Sequence, residues 1–225
     1  MPRLARAIVV GIPHHITQRG TRSQDIFFSD EDRHTYLRFV REGAEKYGVK
    51  ILSWCLMTNH VHFAAVPAGE HSLALCFGTA HKRYSRMINF RNNWKGFLFQ
   101  GRFGSSPMDP EYTYHTLRYV LRNPVRAGMV RVPWRYEWSS AAYHVGREST
   151  DPLVTVDREI EKMVGDWATF LAEPDVDEFL CRIRRESGVG RPLGDDAFLL
   201  KLENKLKRNL KRGKPGRPKK KRQRK

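Results

Sequence analysis

Two stretches carry the side chains whose types and spacing could do chemistry. In residues 54–66, His60 and His62 stand either side of Val61. If this run is a strand, residues two apart share a face, so two imidazoles lie side by side. Such a pair is either half of a metal site or two ordinary half-buried strand residues. In residues 112–123, Tyr119 and Asn123 are four apart and share one face near a helix end. A phenol can serve as a nucleophile and an amide as a ligand, although a lone Tyr119 reads equally well as a packed aromatic.

The elements that must position these groups can be followed along the chain. Apolar runs at 49–56 and 60–66 flank the polar Thr58-Asn59 turn, which predicts a hairpin. Ser29-Asp30-Glu31-Asp32 is a helix start, followed by Tyr36, Leu37, Val40, Ala44 and Tyr47 at helical spacing and a stop at Gly48. A second helix is predicted over 72–92, with His81, Lys82, Arg83, Arg86 and Arg91 on its polar face. Adding strands at 7–18 and 97–103 yields the order strand, helix, strand, strand, helix, strand. That order is the α+β, ferredoxin-like split βαβ arrangement, an antiparallel sheet with helices on one face and the other face open for a ligand. His14 and His15 fall in the first strand as neighbours that face opposite ways, and both are read as structural. Asp109-Pro110-Glu111 starts the helix that carries Tyr119, and Asn123-Pro124 ends it. Beyond a linker at 147–157, helices at 160–171, 176–187 and 195–210 have thin apolar content and form a small appendage.

Composition narrows the partners. With 225 residues, 40% of them hydrophobic, the chain can build a real core. Its formal net charge of +17 is uneven, because residues 201–225 hold 14 of the 41 Lys and Arg and one of the 24 Asp and Glu. That leaves 27 basic against 23 acidic residues upstream. Such a tail, predicted to be disordered over 211–225, has a polyanion as its natural partner. Nucleic acid fits better than a membrane, since no apolar face accompanies the charge. Cys55, Cys76 and Cys181 are scattered and odd in number, which excludes a disulfide framework and favours a reducing cytoplasm near the nucleoid.

Taken in order, Met57-Thr58-Asn59-His60-Val61-His62 and the run Arg118 to Gly128, with its Tyr119, Asn123-Pro124 and Arg126, resemble the single-tyrosine HUH transposases of the insertion sequence 200-like family. Arg19-Gly20 followed by Ile26-Phe27, Phe99-Gln100-Gly101-Arg102-Phe103 and Trp138-Ser139-Ser140 are further echoes, and the REP-associated tyrosine transposases are the most similar branch. The resemblance covers about residues 1–145, so residues 1–146 are expected to form the catalytic domain and 147–210 a helical DNA-binding appendage. It implies that His60 and His62 bind Mg²⁺ or Mn²⁺ with Asn123 in the place of a third ligand, and that Tyr119 is the nucleophile. It also implies cleavage and rejoining of single-stranded DNA beside a hairpin through a 5′-phosphotyrosine, by a monomer, with a dimer left open. Arg19, Arg22, Lys82, Arg83, Arg86, Arg102 and Arg217 are the expected DNA contacts, with Trp94, Phe97 and Phe103 as stacking surfaces. Two alternatives stay open: a catalytically silent, sequence-specific DNA-binding regulator on the same fold, and a metal-dependent hydrolase that uses water.

Overall fold

Local signals build the helices where the pattern places them. α1 (Asp30–Tyr47) is capped by Ser29, whose hydroxyl accepts from the Asp32 N–H at 3.3 Å, and three acidic residues in its first turn complement the helix dipole. Gly48, at φ 63°, ends it in the left-handed conformation that glycine adopts most readily. α2 spans Ser72–Arg91. The structure, a computed structural model, describes residues 6–210; the expected tail 211–225, including Arg217, lies outside the described residues.

The sheet contains β1 (His14–Arg19), β2 (Val49–Leu56), β3 (His60–Pro67) and β4 (Gly104–Pro107) in the order β2-β3-β1-β4, every neighbouring pair antiparallel. With α1 and α2 as crossovers, this is the ferredoxin-like α+β topology expected. Register decides which residues share a face. Ile16 pairs with Phe63 and with Ser105, and that face carries the core with α1 and α2, where Tyr36, Phe63, Phe77 and Tyr84 are fully buried. Thr17 pairs with His62 and Arg19 with His60, so the opposite face carries His15, Thr17, His60 and His62.

Two strands differ from expectation. Residues 7–13 are not a strand: β1 begins only at His14, after a turn at Gly11 and Ile12 whose N–H groups bond to Pro67 and Val9 carbonyls. Residues 97–103 make a single bridge, Gly20 to Phe99, and the last strand is Gly104-Ser105-Ser106-Pro107. Phe99 and Phe103 instead pack around His81, which α2 buries rather than presents on its polar face, at 4.9 and 5.9 Å between ring centroids. Their aromatic character serves the helix-covered core, so strand propensity was the wrong reading of it.

The face without α1 and α2 is only partly open. α3 (Pro110–Leu121), capped by Asp109, covers its Leu52 and Ala64 end and is followed by the single turn α4 (Asn123–Arg126). Past α5 (Ala141–His144), the C-terminal helices are α6 (Arg158–Val164), α7 (Trp167–Ala172), α8 (Asp177–Ser187) and α9 (Asp196–Leu206). The predicted helix over 160–171 is thus two, because Gly165 ends α6 and the Asp166 carboxylate caps α7 through the Ala168 and Thr169 N–H groups.

Trp167, Phe170, Leu171, Ile183 and Leu193 join Leu117, Tyr119 and Leu121 in one buried cluster. Three arginines of the Tyr119 run hold the end of α7 and the loop after it. Arg118 pairs with Glu173 at 2.6 Å, Arg122 donates to the Leu171 carbonyl at 2.6 Å, and Arg122 and Arg126 both reach Asp175. Few apolar residues suffice here because charge-assisted hydrogen bonds complete the contact.

Candidate active site

At the open end of the second face lies a cleft of about 840 Å³, lined by His15, His60, His62 and Tyr119 and rimmed by Arg6, Arg19, Arg102, Arg184 and Arg191. No Asp or Glu lines it, so among the described residues its charge is of one sign. A basic, carboxylate-free cleft with a phenol at its wall suits an anionic substrate.

The sheet brings the histidines together and α3 brings the tyrosine to them. His60 and His62 rings lie 4.9 Å apart between centroids, and the Tyr119 ring sits edge-on to His62 at 5.4 Å and to His15 at 5.6 Å. All three groups belong to one chain. Tyr119 is held from behind by Arg126, whose guanidinium lies 4.3 Å from the ring centroid and donates to the Tyr119 carbonyl.

The electrostatics keep the imidazoles neutral. Burial, with Arg19 adding its charge, lowers His60 to about 4; burial, with Arg126, lowers His15 to about 3. His62 lies well below the ordinary histidine value, first through burial and then through His60, His15, Arg126 and Arg19. Neutral imidazole is the form that ligates a cation. Asn59 selects the useful tautomer of His60. Its Nδ2 donates to the Ser23 carbonyl at 3.0 Å, which turns Oδ1 toward His60 Nδ1 at 2.6 Å. Nδ1 must then carry the proton, and Nε2 keeps a bare lone pair. The donor set fits a divalent cation that receives its oxygen ligands from substrate and water, although no set of three or more His, Cys, Asp and Glu is gathered for one among the described residues.

The other expected site residues divide by face. Arg19 and Arg102 line the cleft. Arg22 is exposed in the turn after β1, outside the cleft lining. Lys82, Arg83 and Arg86 belong to α2 on the far side of the sheet, where Arg83 pairs with Glu42 and lies over Phe39. Arg91 is similarly engaged, with Asp32 at 2.6 Å. Phe103 lines the cleft, whereas Trp94 and Phe97 are exposed away from it. Asn123 is not among the cleft residues: its Nδ2 donates to the Tyr119 and Val120 carbonyls at 3.0 and 3.3 Å, capping the helix that presents Tyr119.

His15, read as structural, lines the cleft: its Nε2 is 3.0 Å from His62 Nδ1 and its Nδ1 is 2.7 Å from Ser187 Oγ on α8. His14 is structural as expected, donating to the Ile12 carbonyl at 2.7 Å and accepting from the Val9 N–H. Period-two alternation could have singled out His15 once the Thr17–His62 register was known. Nothing in the sequence points to Ser187 or Arg184.

Comparison with known proteins shows the family and the fold. The family profile described as "Transposase IS200 like" matches residues 9–123, about half of the chain and the part that contains His60, His62 and Tyr119. The chain belongs to the IS200-like transposases. Among solved structures, a REP-associated tyrosine transposase bound to a REP hairpin superposes with a TM-score of 0.56 at 16% identity, over 70% of this chain and 93% of that one. It shares the fold. A Deinococcus radiodurans chain described as a transposase matches at a TM-score of 0.38 and 14% identity, over 53% of this chain and 95% of that one. No curated protein sequence matches. No helix among the described residues is long and apolar enough to cross a membrane.

Proposed function

We propose that this transposase cuts and rejoins single-stranded DNA beside a hairpin-forming repeat, with Tyr119 as nucleophile. The observation that carries the reading is the meeting of Tyr119, His60 and His62 in one cleft rimmed by arginines and free of carboxylates. Tyr119 Oη attacks the phosphorus, an O–P bond forms and the P–O3′ bond breaks. The 3′-oxygen ends as a hydroxyl with the equivalent of the phenolic proton, and the 5′-phosphate stays on the tyrosine. Attack by another 3′-hydroxyl reverses the exchange without ATP, because the ester conserves the bond that was cut.

Arg19 and Arg102 hold the strand's phosphates at the rim and Arg126 holds the ring. His60 and His62 would hold Mg²⁺ or Mn²⁺, which supplies the charge that neutralises a non-bridging phosphate oxygen. Asn123 serves in this reading through the helix carbonyls it caps. Arg184 and Arg191 bring the appendage to the same rim, so we assign residues 147–210 a share in DNA binding. The chain acts as a monomer, since one copy supplies every group named.

The test is a labelled hairpin strand incubated with Mn²⁺ and run under denaturing conditions. Wild-type protein is expected to leave a denaturation-resistant adduct, and Tyr119→Phe none, with DNA affinity nearly intact. An adduct formed by the Phe variant removes Tyr119 from the reaction. Free 5′-phosphate without an adduct identifies a hydrolase, and binding without cleavage a regulator.

A further inference from the structure

Resting on that reading, we infer that His15 and Ser187 are positioning residues which fix His62 in the tautomer that can ligate the cation, so that helix α8 completes a site whose other members lie far earlier in the chain. The contacts form one buried line, from His62 Nδ1 to His15 Nε2 at 3.0 Å and from His15 Nδ1 to Ser187 Oγ at 2.7 Å. His15 is 1% exposed, His62 6% and Ser187 7%, so the protein itself must satisfy these groups.

A line of two neutral imidazoles and a hydroxyl can be polarised in two directions. In one, His62 Nδ1–H donates to His15 Nε2, and His15 Nδ1–H donates to Ser187 Oγ. His62 Nε2 is then bare, matching the bare Nε2 that Asn59 imposes on His60. In the other, Ser187 donates to His15, His15 Nε2–H donates to His62 Nδ1, and His62 Nε2 carries a proton that bars ligation. The first direction is the one that leaves both histidines competent, and an outer partner of this kind is what orients a ligating imidazole.

The end of α8 is placed for this task by two features independent of the histidines. A Cβ at Gly104 would come within 2.7 Å of Thr17 Oγ1 and 3.1 Å of the Ser187 carbonyl, so the strand has no side chain where the helix end approaches. Just beyond α8, Leu193 bridges in parallel to Met108, with its N–H bonded to the Pro107 carbonyl at 2.8 Å and its carbonyl accepting from the Asp109 N–H at 3.0 Å. Asp109 also caps α3 through Oδ1 and accepts from the Asp195 N–H through Oδ2. One carboxylate therefore ties the tyrosine helix and the segment that carries Ser187 to the same edge of the sheet.

Two measurements on the full chain test the inference. Long-range ¹⁵N–¹H correlation of the imidazole nitrogens, recorded without metal, is expected to show His62 and His15 both protonated at Nδ1; protonation of His62 at Nε2 overturns the proposal. Mn²⁺ titration followed by electron paramagnetic resonance is expected to show about 10- to 100-fold weaker binding for His15→Leu. His15→Gln, whose amide can accept from His62 and donate to Ser187, is expected to recover most of that loss. Ser187→Ala is expected to weaken Mn²⁺ several-fold and Ser187→Thr much less, each at an unfolding midpoint close to wild type. Equal Mn²⁺ affinity for wild type, His15→Leu and His15→Gln overturns the inference while leaving the proposed reaction standing. If the wild-type protein itself binds no Mn²⁺, the proposed metal role fails, and the tautomer spectrum still decides how His15 and His62 are paired.

Discussion

Each face of the sheet sets a histidine against a tyrosine, and the two arrangements have different surroundings. On the face covered by α1 and α2, His81 Nε2 meets the Tyr36 hydroxyl at 2.8 Å, enclosed by Phe77, Phe99 and Phe103. On the other face, His15 and His62 stand beside Tyr119 in a cleft rimmed by five arginines. Residue types are shared, so they do not make the site. Access for an anion does, together with partners that leave a ring nitrogen free. On the closed face Tyr36 takes up a histidine Nε2, the nitrogen that the proposed metal site on the open face requires.

The comparison is broken most forcefully by truncating the closed face. Phe77→Ala removes a fully buried ring and should cost about 3–5 kcal/mol in urea unfolding. A loss below about 1 kcal/mol would mean that this face is not the stabilising core. Arg118 tests whether the open face has structural duties of its own. Its side chain is 4% exposed, pairs with Glu173 and lies 4.5 Å over Phe170, so Arg118→Ala should cost about 2–3 kcal/mol and loosen the C-terminal helices toward proteolysis.

Acid separates the two histidine sets from ordinary ones. His81 is held at about 3, chiefly by burial and then by Arg6, against 6.5 in the unfolded chain. The unfolded state takes up protons first, so this contribution is complete above pH 6.5 and is lost as pH falls from there toward 3. Between pH 7 and pH 5 it is expected to amount to about 2 kcal/mol, read as the difference in pH slope between wild type and His81→Phe. Equal slopes would show that His81 is not buried as a neutral group.

The smallest effect separates the faces by charge. Arg102 lines the cleft and Arg83 is engaged with Glu42 on α2. Arg102→Ala should therefore lower the log–log salt slope for single-stranded DNA by about 0.7, and Arg83→Ala should leave it unchanged. A drop for Arg83 alone would move the DNA to the helical face.

Much of this could be read in advance, for physical reasons. Ser29, Gly48, Asp109 and Pro110 mark helix ends because capping is local chemistry. The spacing of His60 and His62 placed them on one face because a strand repeats every two residues. Gly104 to Pro107 was illegible as a strand, since four small residues have little strand preference and pair only because β1 offers an edge. The helices after residue 147 read as a small appendage thin in apolar residues, because the arginines that tie them down, Arg118, Arg122 and Arg126, lie in the distant run of α3, α4 and the residue between them.

The sequence alone determined the order of elements, the histidine pair, the tyrosine and the basic character, because each is a matter of local period, local capping or count. Only the tertiary structure decided that Tyr119 stands beside His62, that His15 faces the cleft while His14 does not, and that Ser187 reaches His15 across 172 positions of chain. Those outcomes depend on strand register and on which helix covers which face. Both are set by packing between distant segments, which no local pattern records.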